Sequence, residues 1–190
     1  MRTLIAAYAL IAGFIVVERR LRRGEAARTL NAQPSDRGTT RVVGAAFGFA
    51  LIAGLTAPVL TRLGVGGIAT ERVALSGLSL MLAGLSLRVW AAQTLGRFYT
   101  RTLRVAEDQT VVRDGPYRWV RHPGYAADLL LWLGFGLASQ NAIVAPSVVA
   151  VMFGAYTRRI AAEEAMLVDH FGAAYRDYMH QTSRILPRVF

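Results

Sequence analysis

The sequence predicts an all-α integral membrane protein with about five transmembrane helices, a short C-terminal helical hairpin and a cytoplasmic C-terminal helix. Three observations lead there. Of the 190 residues, 54% are apolar, more than an ordinary small soluble domain carries. The charged residues sit in a few blocks, and the runs between those blocks hold almost none. Open strands cannot sit in lipid, so helices are the assignment that satisfies the backbone.

Thr3 to Val17 is uncharged and, with its flanks, reaches the length of about 20 residues that a crossing helix needs. Apart from Arg2 its positive charges follow the apolar stretch, the reverse of a secretory signal, and no convincing small-residue cleavage site comes next. Val42 to Leu60 is the second run, and Val73 to Leu87, extended by Val89 to Ala92, is the third. Gly124 to Ala138, interrupted only by Asp128, and Ala142 to Tyr156 are shorter. Only Ser139-Gln140-Asn141 separates them, so they read as a tight helical hairpin. The alanine- and glycine-rich stretches Gly44 to Gly54 and Gly77 to Gly84 suit close helix packing in lipid. Asn31 to Thr40 is the best candidate for a flexible loop.

Arginine sets the expected orientation. All 22 basic residues are arginines, and the net charge is +10. The block from Glu18 to Arg41 holds Arg19, Arg20, Arg22, Arg23, Arg28, Arg37 and Arg41. A second dense block runs from Arg88 to Arg121, whereas Thr61 to Arg72 has only Arg62 and Arg72. The positive-inside rule then puts the N-terminus outside and the chemically rich blocks and C-terminus in the cytoplasm. With apolar runs interleaved, the positive charge points to anionic lipid headgroups as partners rather than nucleic acid.

Several chemistries are excluded. With no cysteine, disulfides, thiolate metal sites and cysteine nucleophiles are absent. His122, His170 and His180 form no His-x-x-x-His pair, so no metal site is expected. Gly64-Val65-Gly66-Gly67 follows no strand and is not a nucleotide fingerprint. There is no phosphate-binding P-loop and no Gly-x-Ser-x-Gly elbow.

The stretch Gly115 to Tyr125 carries the densest chemistry, with arginine, histidine and aromatic rings at the entrance of an apolar segment. Pro123 suits the first turn of a helix. Arg121 and His122 would then lie at a helix N-terminus, where free N–H groups favour anions. An arginine snorkelling to phosphates beside an aromatic belt is the alternative reading. Beyond the fifth run, Ile160, Glu164, Leu167, Phe171, Tyr175 and Tyr178 share one stripe if a helix continues. A carboxylate on such a face, as Glu164 is, needs a partner or ligand. Glu163 lies one turn from Arg159 and is either an exposed ion pair or a functional group. Asp128, an acid inside an apolar run, is a functional candidate or the partner of an arginine of the preceding loop.

In order and spacing these pieces resemble the isoprenylcysteine carboxyl methyltransferase family, which is related to phospholipid methyltransferases. The resemblance rests on Val111-Val112-Arg113-Asp114-Gly115-Pro116-Tyr117 and Arg121-His122-Pro123-Gly124-Tyr125. It continues through Asn141 at the hairpin turn, Arg159, Glu163-Glu164, Leu167, Phe171-Gly172, Tyr175, Tyr178 and Arg184-Ile185-Leu186-Pro187. It divides one membrane domain into residues 1–86, without family signature, and 87–190, the methyltransferase-like region. It implies S-adenosylmethionine-dependent methyl transfer to a lipophilic acceptor taken from the bilayer. It also implies cofactor contacts at Tyr117, His122, Pro123, Tyr125, Asn141 and Glu163. Arg159 and Glu164 would face the reacting groups, and Arg121 would bind a carboxylate or hold the loop. Ala127 stands where the family usually has glycine, which crowds the expected cofactor pocket.

Loss of Glu164 or Arg159 is expected to abolish turnover in a folded protein. The arginine- and alanine-rich usage fits a bacterial inner membrane, and with it a phenolic or isoprenoid acceptor rather than a prenylated peptide. A phospholipid N-methyltransferase and a non-catalytic, arginine-rich membrane scaffold remain open alternatives.

Overall fold

Apolar runs in this chain wind into helices that satisfy every backbone group within the segment. In the computed structural model, residues 2–22, 34–68, 70–100, 102–103, 105 and 108–187 are described. Among them the regular elements are helices, supplemented by two isolated β-bridges. The helices are α1 (Arg2–Leu21), α2 (Thr39–Arg62), α3 (Glu71–Leu95), α4 (Pro123–Ala138), α5 (Val144–Phe171) and α6 (Ala173–Gln181). Each of the five apolar runs lies within or largely within one of the first five helices. Among the described residues two helical stretches are long and apolar enough to cross a membrane, α2 and the segment 71–98 built on α3. Arg23 and Arg28 lie outside the described residues.

α4 is the hub of the packing. Its Leu131, Trp132 and Phe135 are buried with Met81 of α3 and Val148 and Met152 of α5. Phe47 of α2 meets Trp132 edge-on at 4.8 Å, and Tyr8 of α1 meets Phe135 at 5.2 Å. Glycine lets α3 and α4 touch backbone to backbone. A Cβ on Gly77 would fall 2.5 Å from the Gly134 carbonyl oxygen, and one on Gly84 would fall 2.6 Å from that of Ala127. The glycines of α2 divide differently. Gly54 sits against the Phe135 ring and the Tyr8 hydroxyl, while a Cβ on Gly44 or Gly48 would meet nothing within 4 Å. Of the glycines in this stretch only Gly54 packs this closely, while Ala46 and Ala50 between them are buried in the core as expected.

The connection between α4 and α5 is tied to the connection between α2 and α3. Ala142 N–H donates to Gly66 O at 2.7 Å and Ile68 N–H donates to Gln140 O at 2.8 Å. Asn141 Nδ2 donates to Val65 O at 2.9 Å, and its Oδ1 accepts from the backbone of Ile143 and Val144 at 3.0 and 3.1 Å.

Two expectations change here. The stripe predicted along one continuous helix breaks at Gly172, whose φ of 57° ends α5 and turns the chain into α6. In the candidate flexible loop, residues 34–36 form a 3-10 turn, and Asp36 binds the first turn of α2: its Oδ2 accepts from Thr40 N–H at 3.0 Å. Residues 31–33 of that loop lie outside the described residues.

Candidate active site

The site is assembled at the end of the bundle opposite the Asn141 turn. Just before α4, Val120 pairs in parallel with Ser183 of the C-terminal segment. Arg121 N–H donates to Ser183 O at 2.9 Å, and His122 N–H donates to Arg184 O at 3.0 Å. This pairing holds the backbone of both residues. Pro123 then opens α4 with His122 at the N-cap, a position where the missing proline N–H costs no hydrogen bond.

Glu164 lies behind this pairing in the part of α5 beyond the apolar stretch, and it is 4% exposed. Its Oε1 accepts from Arg121 Nε at 2.6 Å and lies 3.2 Å from His122 Nε2. Arg184 Nη2 is 2.8 Å from its Oε2. Burial pushes the Glu164 carboxyl up. Hydrogen bonds from His122 and Arg121, with the positive charge around it, outweigh burial and hold it at about 2. Arg121 also donates to the carbonyls of Met179 and Thr182. Glu164 therefore clamps the loop before α4 to the tail after α6.

Glu163, one residue earlier, points the other way. Its Oε2 accepts from the Tyr125 hydroxyl at 2.6 Å, and Arg159 Nε donates to that same hydroxyl at 3.3 Å. Arg159 is braced from behind by Asp36, with Thr39 Oγ1 at 3.0 Å and Thr40 Oγ1 at 2.8 Å from its Nη1. Burial raises the Asp36 carboxyl, but hydrogen bonds from Thr40 and the Arg159 charge bring it below its ordinary value. Asp36 was not foreseen as a partner. The available signal was an acid followed by two threonines at the start of an apolar run.

A cavity of about 820 Å³ opens between these elements. Of the expected site residues, Tyr117, Arg121, His122, Tyr125, Arg159 and Glu163 line it. Burial pushes the Tyr117, Tyr175 and Tyr178 hydroxyls up, so all three stay neutral. Tyr178 donates to Tyr117 O at 2.7 Å and so fixes the wall.

Three of the expected residues are not among those lining the cavity. Glu164 is withdrawn behind it as an ion-pair centre, because three basic side chains converge on its carboxylate. Pro123 is buried in the first turn of α4 and positions its neighbours. Asn141 is at the far turn, where its amide is consumed by the hairpin and the 61–65 segment. The structure therefore separates it from the other candidates.

The far wall of the cavity was missed by sequence reasoning. Glu18 of α1 accepts from Arg88 Nε at 2.9 Å and also binds Arg22 and the Tyr99 hydroxyl. Arg88 Nη1 reaches Asp128 Oδ2 at 3.1 Å. An acid at the end of the first apolar run and an arginine inside the third were the available signals. Asp128 thus pairs with an arginine of α3, not of the preceding loop.

The model of the "Isoprenylcysteine carboxyl methyltransferase (ICMT) family" matches residues 77–169. A rice protein (Oryza sativa subsp. japonica) named "Probable protein-S-isoprenylcysteine O-methyltransferase" is 32% identical over 115 residues, 60% of each chain. Protein-S-isoprenylcysteine O-methyltransferase B of Arabidopsis thaliana is 30% identical over 115 residues, 60% of this chain and 58% of that one. The chain therefore spans about three fifths of the length of these relatives. A solved structure of the eukaryotic intramembrane Ras methyltransferase ICMT superposes with a TM-score of 0.63 at 22% identity. That superposition covers 97% of this chain and 63% of the other, and it shows a shared fold. Through residues 77–169, this chain is similar to the isoprenylcysteine carboxyl methyltransferase family.

Proposed function

We propose that the protein is an integral membrane, S-adenosylmethionine-dependent methyltransferase that methylates a lipophilic acceptor at oxygen. The observation that carries this reading is the cavity. It is walled by the family-matched segment, contains the Tyr125–Glu163–Arg159 group, and continues between apolar side chains of α1 and α2 such as Phe14 and Phe47.

The residues present fit the cofactor. The volume lies in the range of about 300–1,000 Å³ usual for small-molecule sites. A carboxylate ringed by tyrosines suits a cationic ligand, through charge and through ring faces. Glu163, Tyr125, Tyr117 and His122 would hold it, with Arg159 beside them. When bound, S-adenosylmethionine supplies a methyl group already activated by its sulfonium charge. The chain's own part is to align the acceptor and exclude water. Asp36 keeps Arg159 in place at the cavity wall. Arg121 and Glu164 act as positioning residues that hold the loop carrying His122.

The same reading takes the five apolar helices as membrane segments, with the N-terminus outside and the cavity at the cytoplasmic leaflet of a bacterial inner membrane. Arginine enrichment in the blocks that carry the cavity supports that orientation. The test is methyl transfer from radiolabelled S-adenosylmethionine to lipid extract by the purified protein in nanodiscs. A labelled lipid ester or ether is expected. A labelled amine as the sole product would replace O-methylation with N-methylation, and absence of any labelled lipid would remove the enzymatic reading.

A further inference from the structure

One side of the stretch Gly115 to Tyr125 takes no part in the cavity. Its 3-10 turn, Gly115–Arg118, sits on the C-terminal end of α3, where a Cβ on Gly115 would fall 2.7 Å from Thr94 Oγ1 and 3.3 Å from Trp90 Nε1. Tyr117 lines the cavity, whereas Arg118 and Trp119 are exposed and line none of it. Trp90 and Trp119, 44% and 46% exposed, meet edge-on with ring centroids 6.1 Å apart. The Arg118 guanidinium lies over the Trp119 ring, 3.8 Å from its centroid. Other arginines at this end are engaged: Arg88, Arg121 and Arg184 with buried carboxylates, Arg97 with Asp108, and Arg113 with the Ala174 carbonyl. Among the described residues no carboxylate pairs with Arg118.

We infer that Arg118, Trp119 and Trp90 seat the phosphate headgroup of an anionic phospholipid at the cytoplasmic leaflet. This rests on the reading of the apolar helices as membrane segments, and not on the methyl-transfer reading. Depth supports the seat. From Val73 to Trp90, α3 rises about 25 Å, close to the hydrocarbon thickness of about 30 Å, so Trp90 reaches the boundary where indole rings collect. Leu75, Leu82 and Trp90 are all exposed, at spacings of seven and eight residues, so one face of α3 meets the acyl chains. Charge supports it too. Stacking occupies one face of the guanidinium and leaves its edge, where the N–H donors lie, for a phosphate. The same stacking covers an indole face that a choline group would otherwise take, so the seat favours a headgroup of net negative charge over a zwitterionic one. The role of an arginine reaching phosphates beside an aromatic belt thus passes to Arg118, while Arg121 turns inward to Glu164.

The test uses the full chain in nanodiscs and reads tryptophan quenching by phospholipids brominated near the headgroup end of the acyl chain. Trp132 is buried, so quenching reports Trp90 and Trp119. Titrating the mole fraction gives exchange constants for brominated phosphatidylglycerol and brominated phosphatidylcholine. Phosphatidylglycerol is expected to be preferred about fivefold, the factor that one arginine contributes at an anionic surface. Arg118→Gln should lower that preference several-fold, whereas Arg97→Gln, which removes the same charge from an exposed position nearby, should leave it. Equal exchange constants in the wild type, or the same loss in Arg97→Gln, would overturn the site, the second by reducing it to overall charge. Displacement of the lipid by excess inorganic phosphate would overturn the choice of a lipid headgroup. If Arg118→Gln does not fold, Trp119→Leu removes the stacking platform and should lower the preference read by Trp90 in the same way. No methyl donor is present, so a missing lipid preference leaves the methyl-transfer reading in place, and absent methyl transfer leaves this site standing.

Discussion

Two adjacent glutamates make the contrast at the scale of the residue. Successive residues on a helix point about 100° apart, so Glu163 reaches the cavity while Glu164 turns to the loop and tail. Glu163→Gln should weaken S-adenosylmethionine binding about tenfold or more, measured calorimetrically, with the melting temperature nearly unchanged. Glu164→Gln should do something else. It leaves Arg121 and Arg184 buried or half-buried around a neutral amide, and loss of one partner of such a pair costs about 3–5 kcal/mol. The expected signature is a lower unfolding midpoint in detergent, contrary to the sequence expectation of an inactive but stable variant. Arg159→Ala falls in the same class, since it strands Asp36. Acid titration offers a second check. Glu164 and Asp36 have folded pKa values below their ordinary 4.5 and 3.8. Their contribution is therefore complete at neutral pH and is lost as pH falls below about 4.5, for Glu164 through about 2. Unfolding midpoints measured across that window should drop, and the drop should be smaller in Glu164→Gln.

Between elements, the decisive contacts are close backbone approaches and short pairings. α3 and α4 meet through glycine, and the Gly77 position leaves no room for a methyl group beside the Gly134 carbonyl. Gly77→Ala should destabilise by about 1–3 kcal/mol through overpacking. Gly44→Ala has nothing within 4 Å and should be neutral or stabilising by up to about 1 kcal/mol, because alanine is the better helix former. Thermal unfolding of the two variants side by side checks both. The C-terminal pairing gives another expectation. A chain ending at Gln181 loses the Ser183 and Arg184 contacts to Arg121, His122 and Glu164. It should retain its helices by circular dichroism and lose S-adenosylhomocysteine binding.

For the whole molecule, the arginine distribution makes a directional claim. The chain has no cysteine, so single cysteines report sidedness cleanly. Val65→Cys, in the connection between α2 and α3, should react with an impermeant maleimide added outside intact cells. Ala173→Cys, at the start of α6 near the cavity, should react only after the membrane is opened. Reversed labelling would invert the proposed topology.

Helix existence was legible because it depends on local facts. Apolar run length, proline at position 123 and charge blocks at the ends of the runs mark α1 to α5 without any tertiary information. Much of one cavity wall was legible for a related reason, since Tyr117, Arg121, His122 and Tyr125 are close in sequence and one turn before α4 gathers them. What the sequence could not decide was which of two neighbouring carboxylates faces the hollow, because helix rotation is set by packing against other helices. Nor could it pair Glu18 with Arg88 or Asp36 with Arg159, contacts 70 and 123 residues apart. A buried charge must find its counter-charge somewhere, and only the packed bundle determines which one is within reach.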